Sequence, residues 1–190
     1  MKKTLLSTAL VAVAATVAMP SAFAATGKIT FTGVLRAGTC AVAPGTNATG
    51  STTDMTVALD PVQAEALSAA NSFAATKPFS ISVGGGASDT CNGSVTKLNF
   101  ENAGAPNSMI NADGYLDNSS AGTATQVGVR LLNGNDHTAI NLATGTNNNT
   151  SATPTAGTPG VLNYQAQYYT KAGGATAGTV NTFVTYTVSY

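Results

Sequence analysis

Apolar residues recur at every second position in short runs along this 190-residue chain, and Gly, Asn, Pro or Ser bounds each run. A period of two puts one row of side chains on each face of an extended strand, so such a chain folds as half-buried sheet. Ile29, Phe31 and Leu35 share one parity around Gly33. Met55, Val57 and Leu59 form a second row, followed by Phe79, Ile81 and Val83, then Leu98 and Phe100, then Val127, Val129 and Leu131. Leu162, Tyr164, Ala166 and Tyr168 make a longer row, and Val184, Tyr186, Val188 and Tyr190 make the last. Seven such rows with turn residues between them predict an all-β fold, a β-sandwich.

The composition narrows what this sheet protein does. Charged residues are 8% of the chain, against roughly 25% in ordinary soluble proteins, and the formal net charge is zero. Nucleic-acid binding needs clustered Lys and Arg to displace counterions from phosphate, so that class is excluded. Leu, Ile, Val and Phe are sparse, but disorder also requires high net charge, which is absent. Thr occurs 30 times, Gly 20 and Asn 16, with no Trp and one His, a turn-rich composition poor in catalytic side chains.

Met1-Lys2-Lys3, the apolar stretch from Leu5 to Ala18 and the small residues of Ala22-Phe23-Ala24 read as a secretory signal peptide over residues 1–24. The apolar run falls short of the roughly 20 residues that span a bilayer, which disfavours a membrane anchor. Export exposes Cys40 and Cys91 to an oxidising compartment, and they are the only pair. A structural disulfide is the expectation. A redox-active thiol or half of a metal site is the alternative, but neither C-x-x-C spacing nor extra His and Cys accompanies these residues.

Several segments break the strand pattern. Asp60-Pro61 opens an Ala-rich stretch to Ala70 and predicts a short surface helix, with Asp60 as cap and Pro at the first helical position. Residues 143–160 are almost wholly Thr, Asn, Gly, Pro, Ala and Ser, and predict an exposed loop. Gly84-Gly85-Gly86 predicts a turn; it lacks the Lys-Ser or Lys-Thr and the βαβ setting of a phosphate loop. His137 lies in a hydrophilic turn without a nucleophile motif, and Asn111-Ala112-Asp113-Gly114 reads as a structural turn rather than part of a calcium loop. The N-x-S/T triplets at Asn47, Asn92, Asn118, Asn148 and Asn149 are those expected by chance in a chain so rich in Asn and Thr. No catalytic, cofactor-binding or metal-binding set emerges.

The two ends of the mature chain say more. Gly27 to Leu35 is a strand-like run ahead of the first cysteine, with the first strand of its own domain as the alternative reading. Phe183 to Tyr190 is an alternating strand with no polar tail, an apolar edge of the kind that invites pairing. With the leader, the G-x-I-x-F-x-G-x-L segment before Cys40-Ala41-Val42, the second cysteine at Cys91, the Gln126-Val127-Gly128-Val129 run and the Tyr164-Gln165-Ala166-Gln167-Tyr168-Tyr169 run, the chain resembles the major pilin subunits of chaperone-usher fimbriae, of the type 1 kind. Such pilins commonly carry the terminal tyrosine second from last, whereas Tyr190 is last here.

The resemblance implies an incomplete immunoglobulin-like β-sandwich over residues 38–190, whose missing strand a neighbouring subunit supplies. It implies that residues 25–37 are the N-terminal extension, with Ile29, Phe31, Gly33 and Leu35 facing the neighbour's groove. Burying Ile29, Phe31 and Leu35 would contribute roughly 6 to 8 kcal/mol from apolar transfer. It further implies a non-enzymatic subunit without cofactor that forms a homopolymer with like subunits, joins other fimbrial subunits, and reaches the cell surface through the periplasm. A periplasmic pilus chaperone would contact Tyr186, Val188 and Tyr190, and an outer-membrane usher would export the fibre. Two rival readings are a minor, linker or tip-associated subunit with an adhesive role, for which 166 mature residues leave no receptor domain, and a secreted β-sandwich hydrolase, for which no acid-base set is visible.

Overall fold

A computed structural model describes residues 40–101 and 109–190. Among them run ten strands: β1 (Val42–Pro44), β2 (Thr49–Ser51), β3 (Asp54–Thr56), β4 (Phe73–Val83), β5 (Thr96–Glu101), β6 (Leu116–Asp117), β7 (Gly128–Asn133), β8 (Ser151–Ala152), β9 (Gly160–Tyr169) and β10 (Thr185–Ser189). One sheet has the order β1-β4-β9-β7-β6, a second the order β10-β5-β8, and β2 and β3 form a separate hairpin. Every pairing is antiparallel.

The strands follow the expected rows. Phe79, Ile81 and Val83 of β4, Val129 and Leu131 of β7, and Leu162, Tyr164 and Ala166 of β9 all turn into one core. Leu98 meets them from β5, so the core is the space between the two sheets. Tyr164 lies at its centre. Its ring stacks on Phe79 at 5.7 Å between centroids and meets Phe100 of the opposite sheet edge-on at 5.2 Å. Burial pushes the Tyr164 phenol up to about 12, only partly offset by the Thr150 hydroxyl.

Pro78 stands inside the long strand β4 without breaking it. The β1 ladder reaches β4 only at Ile81, Ser82 and Val83, so no neighbour needs an N–H at position 78. The Pro78 carbonyl on that side accepts from Asn47 Nδ2 at 2.8 Å. Near its start, β4 shifts register against β9 between Ala74 and Lys77, and Ala75 takes a φ of 52°.

Strand order identifies the architecture. An immunoglobulin-type constant domain has sheets ABED and CFG. Taking β1, β4, β5, β7, β9 and β10 as A to F reproduces A-B-E-D in one sheet and C beside F in the other. Among the described residues nothing occupies the place of G beside β10. The chain is therefore an incomplete immunoglobulin-like sandwich.

Two expectations need correction. The helical stretch is a single 3-10 turn, Ala64–Leu67, capped at Gln63, whereas Asp60 lies outside it and pairs with Lys77 at 2.6 Å. Only Leu67 of this turn is buried, so no apolar stripe exists to extend it. The segment 143–160 is not simply exposed: it contains β8, and Thr150 and Pro154 are buried. The cause is the glycine turn after β4. Gly84, at φ 63°, leaves room for Pro154, since a Cβ there would lie 2.7 Å from the proline ring. The Gly93 and Gly157 N–H groups then donate to the Pro154 and Gly85 carbonyls at 2.8 Å each.

Candidate functional site: the open edge at β10

β10 pairs through all five of its residues with β5, from Thr185 opposite Glu101 to Ser189 opposite Lys97. It ends its sheet, and β5 is its only strand partner among the described residues. Its outward side chains are polar: the Thr185 hydroxyl donates to the Glu101 carbonyl at 2.8 Å, and the Thr187 hydroxyl donates to the Glu101 carboxylate. Its inward side chains, continuing from Val184 through Tyr186 to Val188, pack on the core yet stay only half-buried. Tyr190 follows them in parity and is 44% exposed.

A second row shares this condition. Met55, Val57 and Leu59 alternate with exposed neighbours, touch the core and are half-buried. The two rows meet where the Tyr186 hydroxyl donates to the Thr52 carbonyl of the β2–β3 turn at 2.6 Å. Tyr186 thus reaches from β10 to the segment carrying the other row. Its half-burial raises the phenol pKa. The arrangement is an apolar trough beside a strand edge, able to receive one more strand by backbone pairing and to read its alternate side chains.

The expected disulfide is present. Cys40 and Cys91 are bonded, with Cα atoms 5.4 Å apart. The bond ties the chain just before β1 to the loop before β5, the strand on which β10 rests. Cys91 is fully buried, and Gly84 makes space for it, since a Cβ there would stand 2.9 Å from Cys91 Sγ.

Of the other residues singled out in the sequence, Ile29, Phe31, Gly33 and Leu35 lie outside the described residues, as do the boundaries at residues 24 and 37. His137 sits exposed in its turn, with Nδ1 2.8 Å from Gln165 Nε2. Asn111 Oδ1 accepts from the Asp113 and Tyr115 N–H groups at 3.0 and 3.3 Å, which makes 111–114 a side-chain-stapled turn. Among the described residues no three His, Cys, Asp or Glu side chains gather as a metal site would require. The Tyr186 reach to Thr52 was not legible in the sequence, because nothing local marks a contact across 134 positions.

Fold and edge together define a sandwich domain with one strand position open. Comparison with known proteins gives that class its family. The fimbrial protein family model matches residues 29–190. The F17 fimbrial protein of Escherichia coli is 34% identical over 168 residues, spanning 86% of this chain and 87% of that one. Among solved structures, the CupB6 tip adhesin from Pseudomonas aeruginosa is similar at 19% identity and a TM-score of 0.45, over 65% of this chain and 32% of the adhesin. The chain belongs to the fimbrial protein family. Membership makes it a subunit of a surface fimbrium, assembled with other fimbrial subunits.

Proposed function

We propose that this subunit is a structural building block of the fimbrial shaft and polymerises by donor-strand exchange. The observation that carries the reading is the half-buried row Val184, Tyr186 and Val188 on a strand whose outer edge has no partner strand among the described residues. The occupant is the segment carrying Ile29, Phe31, Gly33 and Leu35 from a second copy. It spans seven residues, as does the row from Val184 to Tyr190. The donor row lacks a side chain only at Gly33, and the acceptor row has one side chain, Tyr186, that reaches across to the opposite segment. An antiparallel register setting Gly33 against Tyr186 matches that gap to that obstruction and keeps Phe31 and Leu35 beside Val188 and Val184.

Each copy gives a strand at one end and takes one at the other, a head-to-tail contact that does not close and so builds a filament. Before assembly the apolar edge needs cover, which a periplasmic chaperone provides by lending a strand along Tyr186, Val188 and Tyr190; an outer-membrane usher then passes subunits outward. Deleting Gly27 to Leu35 tests the reading. The truncated subunit is expected to bind its chaperone and form no fibre by electron microscopy. Normal fibres from cells making only the truncated form would overturn it.

A further inference from the structure

Away from the β10 edge, a groove of about 730 Å³ opens beside the β6–β7 end of the larger sheet. Tyr115 and Tyr169 form its aromatic wall, edge to face at 5.0 Å. Gly128, paired with Tyr169 across the ladder, lets the Tyr115 ring lie close, since a Cβ there would come within 3.0 Å of it. The Arg130 guanidinium stacks over Tyr169 at 4.3 Å and donates to the Gln167 amide oxygen at 2.6 and 2.9 Å, with that amide oriented to donate to Thr76. The aromatic wall is thus fixed from behind.

Polar groups with unused capacity stand around it. Asp117 accepts from Asn111 Nδ2 through Oδ1 at 2.7 Å, and its second oxygen has no hydrogen-bond partner among the described residues. Lys171 donates to Asp113 at 2.6 Å and keeps two further N–H groups. Gln126 is exposed, its amide has no hydrogen-bond partner among the described residues, and its backbone is held at φ 59°. A glutamine in the left-handed region is strained, and such strain gathers where a side chain has to be aimed.

We propose that this groove binds a neutral saccharide, a site separate from the polymerisation edge and independent of the donor-strand reading. A pyranose offers a C–H face for tyrosine rings and adjacent hydroxyls that each donate and accept, which suits a carboxylate, an amide and an ammonium placed together. An anionic ligand is disfavoured, because Lys171 is already neutralised by Asp113 and Asp117 adds a second carboxylate to the rim.

Saturation-transfer NMR tests this on the secreted full-chain protein, with a panel of neutral hexoses and N-acetylhexosamines and with sialic acid as the anionic arm. Saturable transfer to at least one neutral sugar is expected, weakened tenfold or more in Asp117→Ala and in Gln126→Ala with fibre assembly unchanged. Gln126→Gly should weaken binding equally while raising Tm, because glycine relieves the strained backbone. Lack of transfer to every neutral sugar, equal transfer in Asp117→Ala and Gln126→Ala, or preference for sialic acid would each overturn the proposal.

Discussion

β9 and β10 carry the same apolar alternation in the sequence and end in opposite environments. In β9, Leu162 is 0% and Tyr164 1% exposed, because β4 and β7 flank the strand and β5 covers its inner face. In β10, Val184, Tyr186 and Val188 face the same core and remain half-buried, because β5 flanks one side only. A row of apolar side chains states that a face needs cover. Whether the cover comes from its own chain depends on strand order, which is a property of the whole fold. In the proposed donor-strand exchange, the difference between these two strands is what lets a sandwich domain join a fibre.

Substitutions should separate the two environments. Tyr164→Ala removes the central ring from between Phe79 and Phe100 and should cost about 3 to 5 kcal/mol in chemical denaturation of the subunit. A loss below about 1 kcal/mol would mean that the closed half is not packed as described. Replacing Cys40 and Cys91 together by Ser opens a loop with a sequence separation of 51. The expected loss is about 4 kcal/mol in the chain-entropy model, seen as lower periplasmic yield by immunoblot. Undiminished yield would count against a structural bond.

Alkali offers a milder probe of the closed half. The folded phenol of Tyr164 titrates near 12 against an ordinary 10, so the unfolded chain loses this proton first. Its contribution is intact below pH 10 and drains away as pH rises towards 12, by about 2 to 3 kcal/mol in all. Tyr164→Phe should flatten that part of the stability curve; an unchanged slope would place the ring in water. The smallest effect belongs to the open half. Val188→Ala should cost under about 1 kcal/mol in a subunit with its edge unfilled and clearly more within fibres, as dissociation by denaturant would show. Equal losses in both states would erase the contrast between the strands.

Much of this fold was legible because period-two alternation survives in β5, β9 and β10 and in the core-facing rows of β4 and β7. The pairing of the cysteines was legible for a simpler reason, there being only two. Other features were hidden because they arise from meetings between distant segments. Pro154 is buried by a hollow at Gly84, although its own neighbourhood reads as a polar loop. Asp60 has the position of a helix cap and instead pairs with Lys77, since the turn that forms is capped at Gln63, three residues beyond it. Ile140 and Leu142 enter the core from outside any named strand, held there by bonds from their N–H groups to the Leu131 and Gly114 carbonyls. At the open edge, the sequence showed the β10 row but not its incomplete burial, nor the hydrogen bond from Tyr186 to the Thr52 carbonyl.

The central claim is best tested by melting the subunit that lacks Gly27 to Leu35, alone and with a synthetic peptide of residues 27–35. Alone, it should aggregate or unfold at low temperature; with peptide in excess it should become a cooperatively melting monomer, its Tm rising with peptide concentration. A truncated subunit that melts cooperatively by itself, at a temperature the peptide does not change, would contradict the account.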